Sequence, residues 1–189
     1  MTAPRLPKLS PAELDEQQRE LYDAIASGPR ARGPQLFALT DNDGGLEGPF
    51  NAMLLSPAVG SALQALGSAV RYGSGFDNRD REIAILVVAH AWDCAFEVYA
   101  HEAVGRAAGL SVDELAALKA GAYDQLTEHE RLVANTSAAL AVRSALTDDE
   151  FNDARDALGL PLLFELTTLV GYYATLALQL RVFDVGAPS

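Results

Sequence analysis

The sequence has little sulfur and little positive charge. Cys94 is the only cysteine, so no disulfide can form within the chain and nothing suggests an oxidising compartment; a cytoplasmic setting is expected. Lys and Arg number 14 against 26 Asp and Glu, giving a formal net charge of −12. Nucleic-acid binding rests on clustered cations, so that balance argues against a phosphate-backbone partner while leaving room for a small acidic substrate held by local arginines. The first nine residues hold Arg5, Lys8 and two prolines but no apolar run, so no cleaved secretory signal is expected. The most apolar stretch, Pro161 to Leu180, carries Glu165, Gln179 and three threonines. A charge at mid-membrane depth is costly, so this stretch is expected to be a core helix, with no membrane partner.

Other absences narrow the chemistry. There is no phosphate-cradling glycine-rich loop, no G-x-S-x-G and no G-x-G-x-x-G. His101-Glu102 and His129-Glu130 lack a second histidine four positions after the first, so neither forms a zinc-protease helix. No alternating apolar and polar run is long enough for a strand, and the expected class is all-α.

What is present is 189 residues with 49% hydrophobic content, enough to bury one sizeable core. A single domain over 1–189 is expected, with an N-terminal helix and long loop in 1–52 and a helical core in 53–184. Ser10 with Glu13, Ser111 with Glu114, Thr127 with Glu130 and Thr147 with Glu150 read as capping boxes, and Pro11 and Pro57 sit at favoured first helical positions. The Gly-, Pro- and Asp-rich segment 30–51 reads as a loop that is either a solvated connector or one whose end, Pro49-Phe50-Asn51, covers or lines a pocket. Leu63, Leu66 and Val70 recur at helical spacing until Gly73-Ser74-Gly75. Asp77 or Asn78 caps the next helix, which runs through Glu82 towards Trp92; Asp93 offers another cap before the pattern resumes to Gly109. One helix or two is left open there. Further helices are expected at 112–119, 128–144, 148–158 and 161–183, with Gly159 as a stop.

Cys94, Glu97 and His101 fall at steps of three and four, so they share a helix face. His90 would join them only on an unbroken helix, and a break near Asp93 would fold Glu82 back towards them. A carboxylate one turn before an imidazole can orient it, and burial can move either pKa towards neutrality. The bland reading of the same spacing is a solvated Glu–His pair, but Leu86, Val87, Phe96 and Val98 around it point to a core or cleft. Cys94 at a helix start could hold a thiolate or could be an inert buried thiol. Arg79 and Arg81, in a first helical turn where the macrodipole disfavours cations, are candidates to bind a substrate carboxylate, or to form salt bridges with Asp77 or Asp80. Tyr99, Tyr172 and Tyr173 could present hydroxyls to a pocket or simply fill a core.

Taken in order, Gly48-Pro49-Phe50-Asn51 with Ser56-Pro57, Arg79-Asp80-Arg81-Glu82, Trp92 with Phe96-Glu97, Tyr99-Ala100-His101-Glu102, Ala108-Gly109-Leu110-Ser111 and Gly171-Tyr172-Tyr173 resemble the carboxymuconolactone decarboxylase and alkyl hydroperoxidase D superfamily. The resemblance implies an alkyl hydroperoxidase D-like bundle of about seven to eight helices and a ring-like trimer or hexamer. In the peroxidase branch it implies a Glu, two cysteines separated by two residues, and a His four positions after the second. Here Glu82, Cys94 and His101 stand in those places but Glu97 replaces the second cysteine, so a dithiol cycle cannot close. The decarboxylase branch is the better match. It implies a cofactor-free lyase or isomerase acting on a small acidic unsaturated lactone or keto acid, with Glu82, Glu97, His101 and Cys94 as catalytic candidates. Arg79, Arg81, Phe50, Asn51, Tyr99 and Tyr173 are then the substrate-binding candidates. The alternatives are a single-cysteine peroxidase, a metal site built on Glu97 and His101 with Glu82 or His90, and a catalytically silent oligomeric scaffold.

Overall fold

The computed structural model describes residues 5–28, 31–32 and 35–188; the parts of the expected N-terminal segment and loop at 1–4, 29–30 and 33–34 lie outside the described residues. Among those described there are eight α-helices: α1 (Glu16–Ala26), α2 (Pro49–Met53), α3 (Pro57–Tyr72), α4 (Asn78–Ala91), α5 (Ala95–Ala107), α6 (Val112–Ala120), α7 (Glu128–Arg143) and α8 (Asp148–Val182). The only β pairing in the described residues is an isolated bridge between Thr40 and Leu46.

Three of the four expected capping boxes form. Ser111, Thr127 and Thr147 each accept from the backbone of the Glu three residues on, and each Glu reaches back. Ser10 does not start an α-helix. It caps a single 3-10 turn, Pro11–Glu13, and the capping box belongs to Asp15 with Gln18 at the start of α1. An Asp followed by Gln satisfies the orphan N–H groups as well as Ser with Glu, so the rival signal five residues on wins. The expected loop 30–51 gives way to α2 at its end, where Gly48 has φ 56° and a Cβ there would stand 2.2 Å from the Phe96 ring. Only glycine fits that turn.

Helix α4 is the centre of the bundle. Every residue from Asp80 to Ala89 is buried, because α5, α6, α7 and α8 all pack against it. The chain breaks after it, as the capping signal near Asp93 allowed, but in a different register. Trp92 ends α4, Asp93 takes a left-handed φ of 49°, and Cys94, not Asp93, stands at the N-cap of α5. The break lets α5 return along α4, which brings residues 19 positions apart into contact.

Helix α8 is interrupted at Gly159, whose φ of 73° and ψ of 159° are not helical, with Pro161 just beyond. Its later part buries Leu163, Leu166, Leu169, Val170, Tyr172, Tyr173, Leu176, Ala177 and Leu180. By length and composition alone this helix could cross a bilayer, and a third of its apolar window is buried. Glu165 in its middle accepts from the backbone N–H of Gly75 at 2.8 Å. Its outward face is also apolar, with Leu160, Phe164, Leu178 and Val182 each more than half exposed.

Candidate active site

Glu82, Glu97 and His101 meet in the interior. Glu82 projects from the central helix α4 and is 0% exposed; Glu97 and His101, one turn apart on α5, are 3% and 5% exposed. The His101 ring lies between the two carboxylates, with Nδ1 2.6 Å from Glu82 Oε2 and Nε2 3.3 Å from Glu97 Oε2. Burial alone would push the imidazole's pKa down. The charge and hydrogen bond of Glu82, followed by those of Glu97, reverse this and raise it to about 9. Burial likewise pushes Glu82 up, but the charge and hydrogen bond of His101 overcome it, helped by Arg71 and Arg81, and hold its carboxyl below the ordinary value. At neutral pH the ring is therefore an imidazolium with both N–H groups directed at carboxylates.

The remaining valences are informative. Glu82 Oε1, Glu97 Oε1 and Arg81 Nε are buried without a hydrogen-bond partner, although Arg81 Nε stands only 3.6 Å from Glu82 Oε1. Buried polar atoms are rarely left unsatisfied except where a ligand, a water or a reaction uses them. Glu97 and His101 line a cavity together with Phe37, Pro49, Phe50, Arg71, Phe96, Ala100, Tyr172, Tyr173 and Leu176. Tyr173 packs edge-on to the His101 ring at 5.1 Å between centroids, and burial keeps its hydroxyl protonated well above the usual range. The cavity offers about 20 Å³, room for little more than one water. Glu82 does not line it; it stands behind the imidazole.

Several sequence candidates lie elsewhere. Arg79 is committed to Glu114, to Glu130 and to the carbonyl of Gly109, and so bolts the start of α4 to the N-termini of α6 and α7. The two glutamates are the same ones that close the capping boxes, so the macrodipole cost of a cation here is offset across helices. Arg79→Ala is therefore expected to destabilise the fold by about 2 kcal/mol, the worth of hydrogen bonds to charged groups, read by urea denaturation, with no direct effect on substrate affinity. Asn51 ties down the N-terminal segment, its Oδ1 accepting from Leu9 N–H and its Nδ2 donating to the Pro7 carbonyl. Tyr99 is 38% exposed, its ring tilted against that of Phe96 at 6.2 Å between centroids, and it does not line the cavity. Arg81 is buried and donates to Asn78 at 2.6 Å, which leaves it at the edge of the Glu82 carboxylate and not in the cavity. His90, separated by the break, lies in the last turn of α4 and does not line the cavity.

Cys94 is 1% exposed and packs among Phe96, Ala100, Ala177 and Leu180. Burial pushes its thiol up to about 11, and the nearby charge of Glu97 acts in the same direction against the backbone hydrogen bonds at the helix start. It does not line the cavity. Arg71, at the end of α3, is, like Phe37, a charged or aromatic cavity residue that sequence reasoning missed. No short-range pattern pointed to it, because it reaches the site only through the packing of α3 on α8.

Residues 57–148, which include the break, both glutamates and the histidine, match the carboxymuconolactone decarboxylase family model. Over that segment the chain is similar to the carboxymuconolactone decarboxylase family. Among solved structures, a putative antioxidant defence protein of the AhpD kind from Agrobacterium tumefaciens is 23% identical, with a TM-score of 0.68 over 74% of this chain and 97% of that one. An uncharacterized peroxidase-related protein with an alkylhydroperoxidase AhpD core from Ralstonia eutropha JMP134 is 13% identical, with a TM-score of 0.76 over 100% of this chain and 94% of that one. The debrominase Bmp8, in a cysteine-to-alanine variant in complex with 2,3,4-tribromopyrrole, is 11% identical, with a TM-score of 0.74 over 97% and 91%. At these identities the likeness is one of fold. No sequence match was found among curated proteins. These structures show an all-helical, alkyl hydroperoxidase D-like architecture, a scaffold that proteins of different activities share.

Proposed function

We propose that this protein is a cofactor-free lyase or isomerase that moves a proton on a small acidic, unsaturated lactone or keto acid. The observation that carries this reading is the His101 imidazolium, held between two buried carboxylates at the wall of an aromatic cavity. In the decarboxylation, the bond to the departing carboxylate breaks heterolytically. Its electron pair moves through the conjugated alkene onto the lactone carbonyl, releasing carbon dioxide and leaving an extended enolate. The proton on His101 Nε2 then goes to the enolate carbon, so one proton replaces one carbon dioxide, and solvent restores the imidazolium. The substrate's own carbonyl is the electron sink. In this reading Glu97 shares and relays the Nε2 proton, while Glu82, sequestered behind Nδ1, fixes the ring orientation and stabilises the cation.

The rival reading, a single-cysteine peroxidase, requires a reactive Cys94. A deep thiol with a raised pKa, outside the cavity, is a poor nucleophile. Steady-state assays on unsaturated carboxylactones, following carbon dioxide release, separate the two. Cys94→Ser is expected to retain turnover, and intact mass after peroxide titration is expected to show no sulfenic adduct. A stoichiometric adduct together with loss of activity in Cys94→Ser would favour the redox reading.

The resemblance also implies self-association. We assign that role to the uncovered apolar face of α8 around Leu160, Phe164, Leu178 and Val182, whose exposure in a monomer would be unfavourable. Multi-angle light scattering is expected to give a trimer or hexamer; a stable monomer at micromolar concentration would remove this assignment.

A further inference from the structure

The cavity beside His101 shares a wall with an outer hollow: Phe37 and Arg71 line both. Outward, the hollow is bounded by Gln35, Leu36, Leu39, Tyr72 and Val104, and Leu36 and Tyr72 at its rim are 41% and 51% exposed. Inward lie the acid–base groups and aromatic rings. The two spaces offer about 40 and 20 Å³, so neither admits an organic molecule unless that wall moves.

The two wall residues differ in kind. Arg71 is half-buried in the last turn of α3, where a cation suits the helix dipole, and its guanidinium stands 5.9 Å over the Tyr72 ring. Its charge is felt by both Glu82 and Tyr173. Phe37 is the one aromatic lining residue outside a helix: Phe50 stands on α2, Phe96 on α5, and Tyr172 and Tyr173 on α8, whereas Phe37 lies on the irregular segment before α2. With Glu82 and Glu97 as carboxylates, His101 as imidazolium and Arg71 and Arg81 as guanidiniums, the ensemble keeps one net positive charge. A monoanion neutralises it. The Glu97 carboxylate on the same lining repels an anion, which sorts the cavity into a cationic end at Arg71 and a proton-transfer end at His101.

We propose that Arg71 anchors an anionic group of the substrate and that Phe37 is the movable wall through which the substrate enters. This deepens the lyase reading and rests on it for the identity of the reacting end. A carboxylate that departs as carbon dioxide gains nothing from a guanidinium clamp, which stabilises the ground state; the group that Arg71 takes is therefore one retained through the reaction. A planar conjugated body between the anion and the reacting carbon suits the surrounding rings.

Calorimetric titration of the full-length chain with benzoate, and with benzamide as its neutral counterpart, tests the anchor without any need for turnover. Benzoate is expected to bind the wild type, to bind Arg71→Met on the order of tenfold or more weakly, and to recover part of that loss in Arg71→Lys. Benzamide is expected to bind all three equally and weakly. Thermal melting identifies any variant that fails to fold, in which case Arg71→Gln replaces Arg71→Met. No benzoate binding to the wild type, or equal binding to the folded Met or Gln variant, overturns the anchor. For the wall, stopped-flow association of benzoate with Phe37→Ala is expected to be several-fold faster than with the wild type, and an unchanged rate overturns the gate. Because these readouts are of binding alone, they can hold while the lactone assays fail, or fail while those assays succeed.

Discussion

His101→Ala is expected to lower turnover by roughly 10²- to 10⁴-fold, the usual worth of a positioned general acid. The same substitution is expected to reduce stability by about 3–5 kcal/mol, because it leaves two carboxylates in the interior with their shared cation removed. The two effects have different origins and can be read separately, with turnover measured well below the melting temperature and stability from urea titration. His101→Gln sharpens the comparison. An amide can still donate to one carboxylate, so part of the stability returns, but it has no proton to give at neutral pH and the rate stays low. Recovery of turnover in the Gln variant would show that His101 only holds the site together.

Glu97→Gln and Glu82→Gln then divide the carboxylate roles. Glu97 lines the cavity and has a free oxygen, so its replacement is expected to act mainly on turnover. Glu82 is sealed behind the ring, and its loss works through the orientation and basicity of His101. Unchanged turnover in both Glu97→Gln and His101→Ala would exclude the assignment.

The parts of this molecule that are local in sequence could be read from it. Three capping boxes, the stop at Gly159 and the shared face of Glu97 and His101 all follow from spacings of three to four residues. The contact between Glu82 and His101 was half legible. A break was expected near Asp93, but only the packing of α5 back along α4 determines that the 19-residue separation closes to 2.6 Å. Arg79 illustrates the opposite case. Its position in a first turn correctly marked it as needing anionic partners, yet those partners, Glu114 and Glu130, lie 35 and 51 residues away, and no local pattern distinguishes them from a substrate. Arg71 and Phe37 were invisible for the same reason, since a cavity wall contributed by α3 and an irregular segment has no period. Cys94 could be placed at a helix start, where a low pKa is the usual inference, but its surroundings of Phe96, Ala177 and Leu180 overrule the dipole.

The pH dependence follows from the same triad, and its sign can be worked out group by group. His101 has a folded-state pKa of about 9 against an ordinary 6.5. The stability it confers is fully present below 6.5 and is lost as pH rises through 9, and a shift of this size corresponds to on the order of 3 kcal/mol. Glu82, held below its ordinary 4.5, confers stability that is present above that value and lost as pH falls towards its folded pKa. Stability is therefore expected to peak between about pH 5 and 6.5 and to decline towards pH 10, measured as the urea midpoint, with the alkaline decline flattened in His101→Gln. Activity distinguishes acid from base on the same axis. If the imidazolium delivers the proton, kcat/KM falls as pH rises through about 9, and Glu82→Gln moves that limb downwards because the charge that raised the ring pKa is gone. A rate that climbs through pH 9 would make the neutral ring the working species, and the proton would then be taken from the substrate instead of given to it.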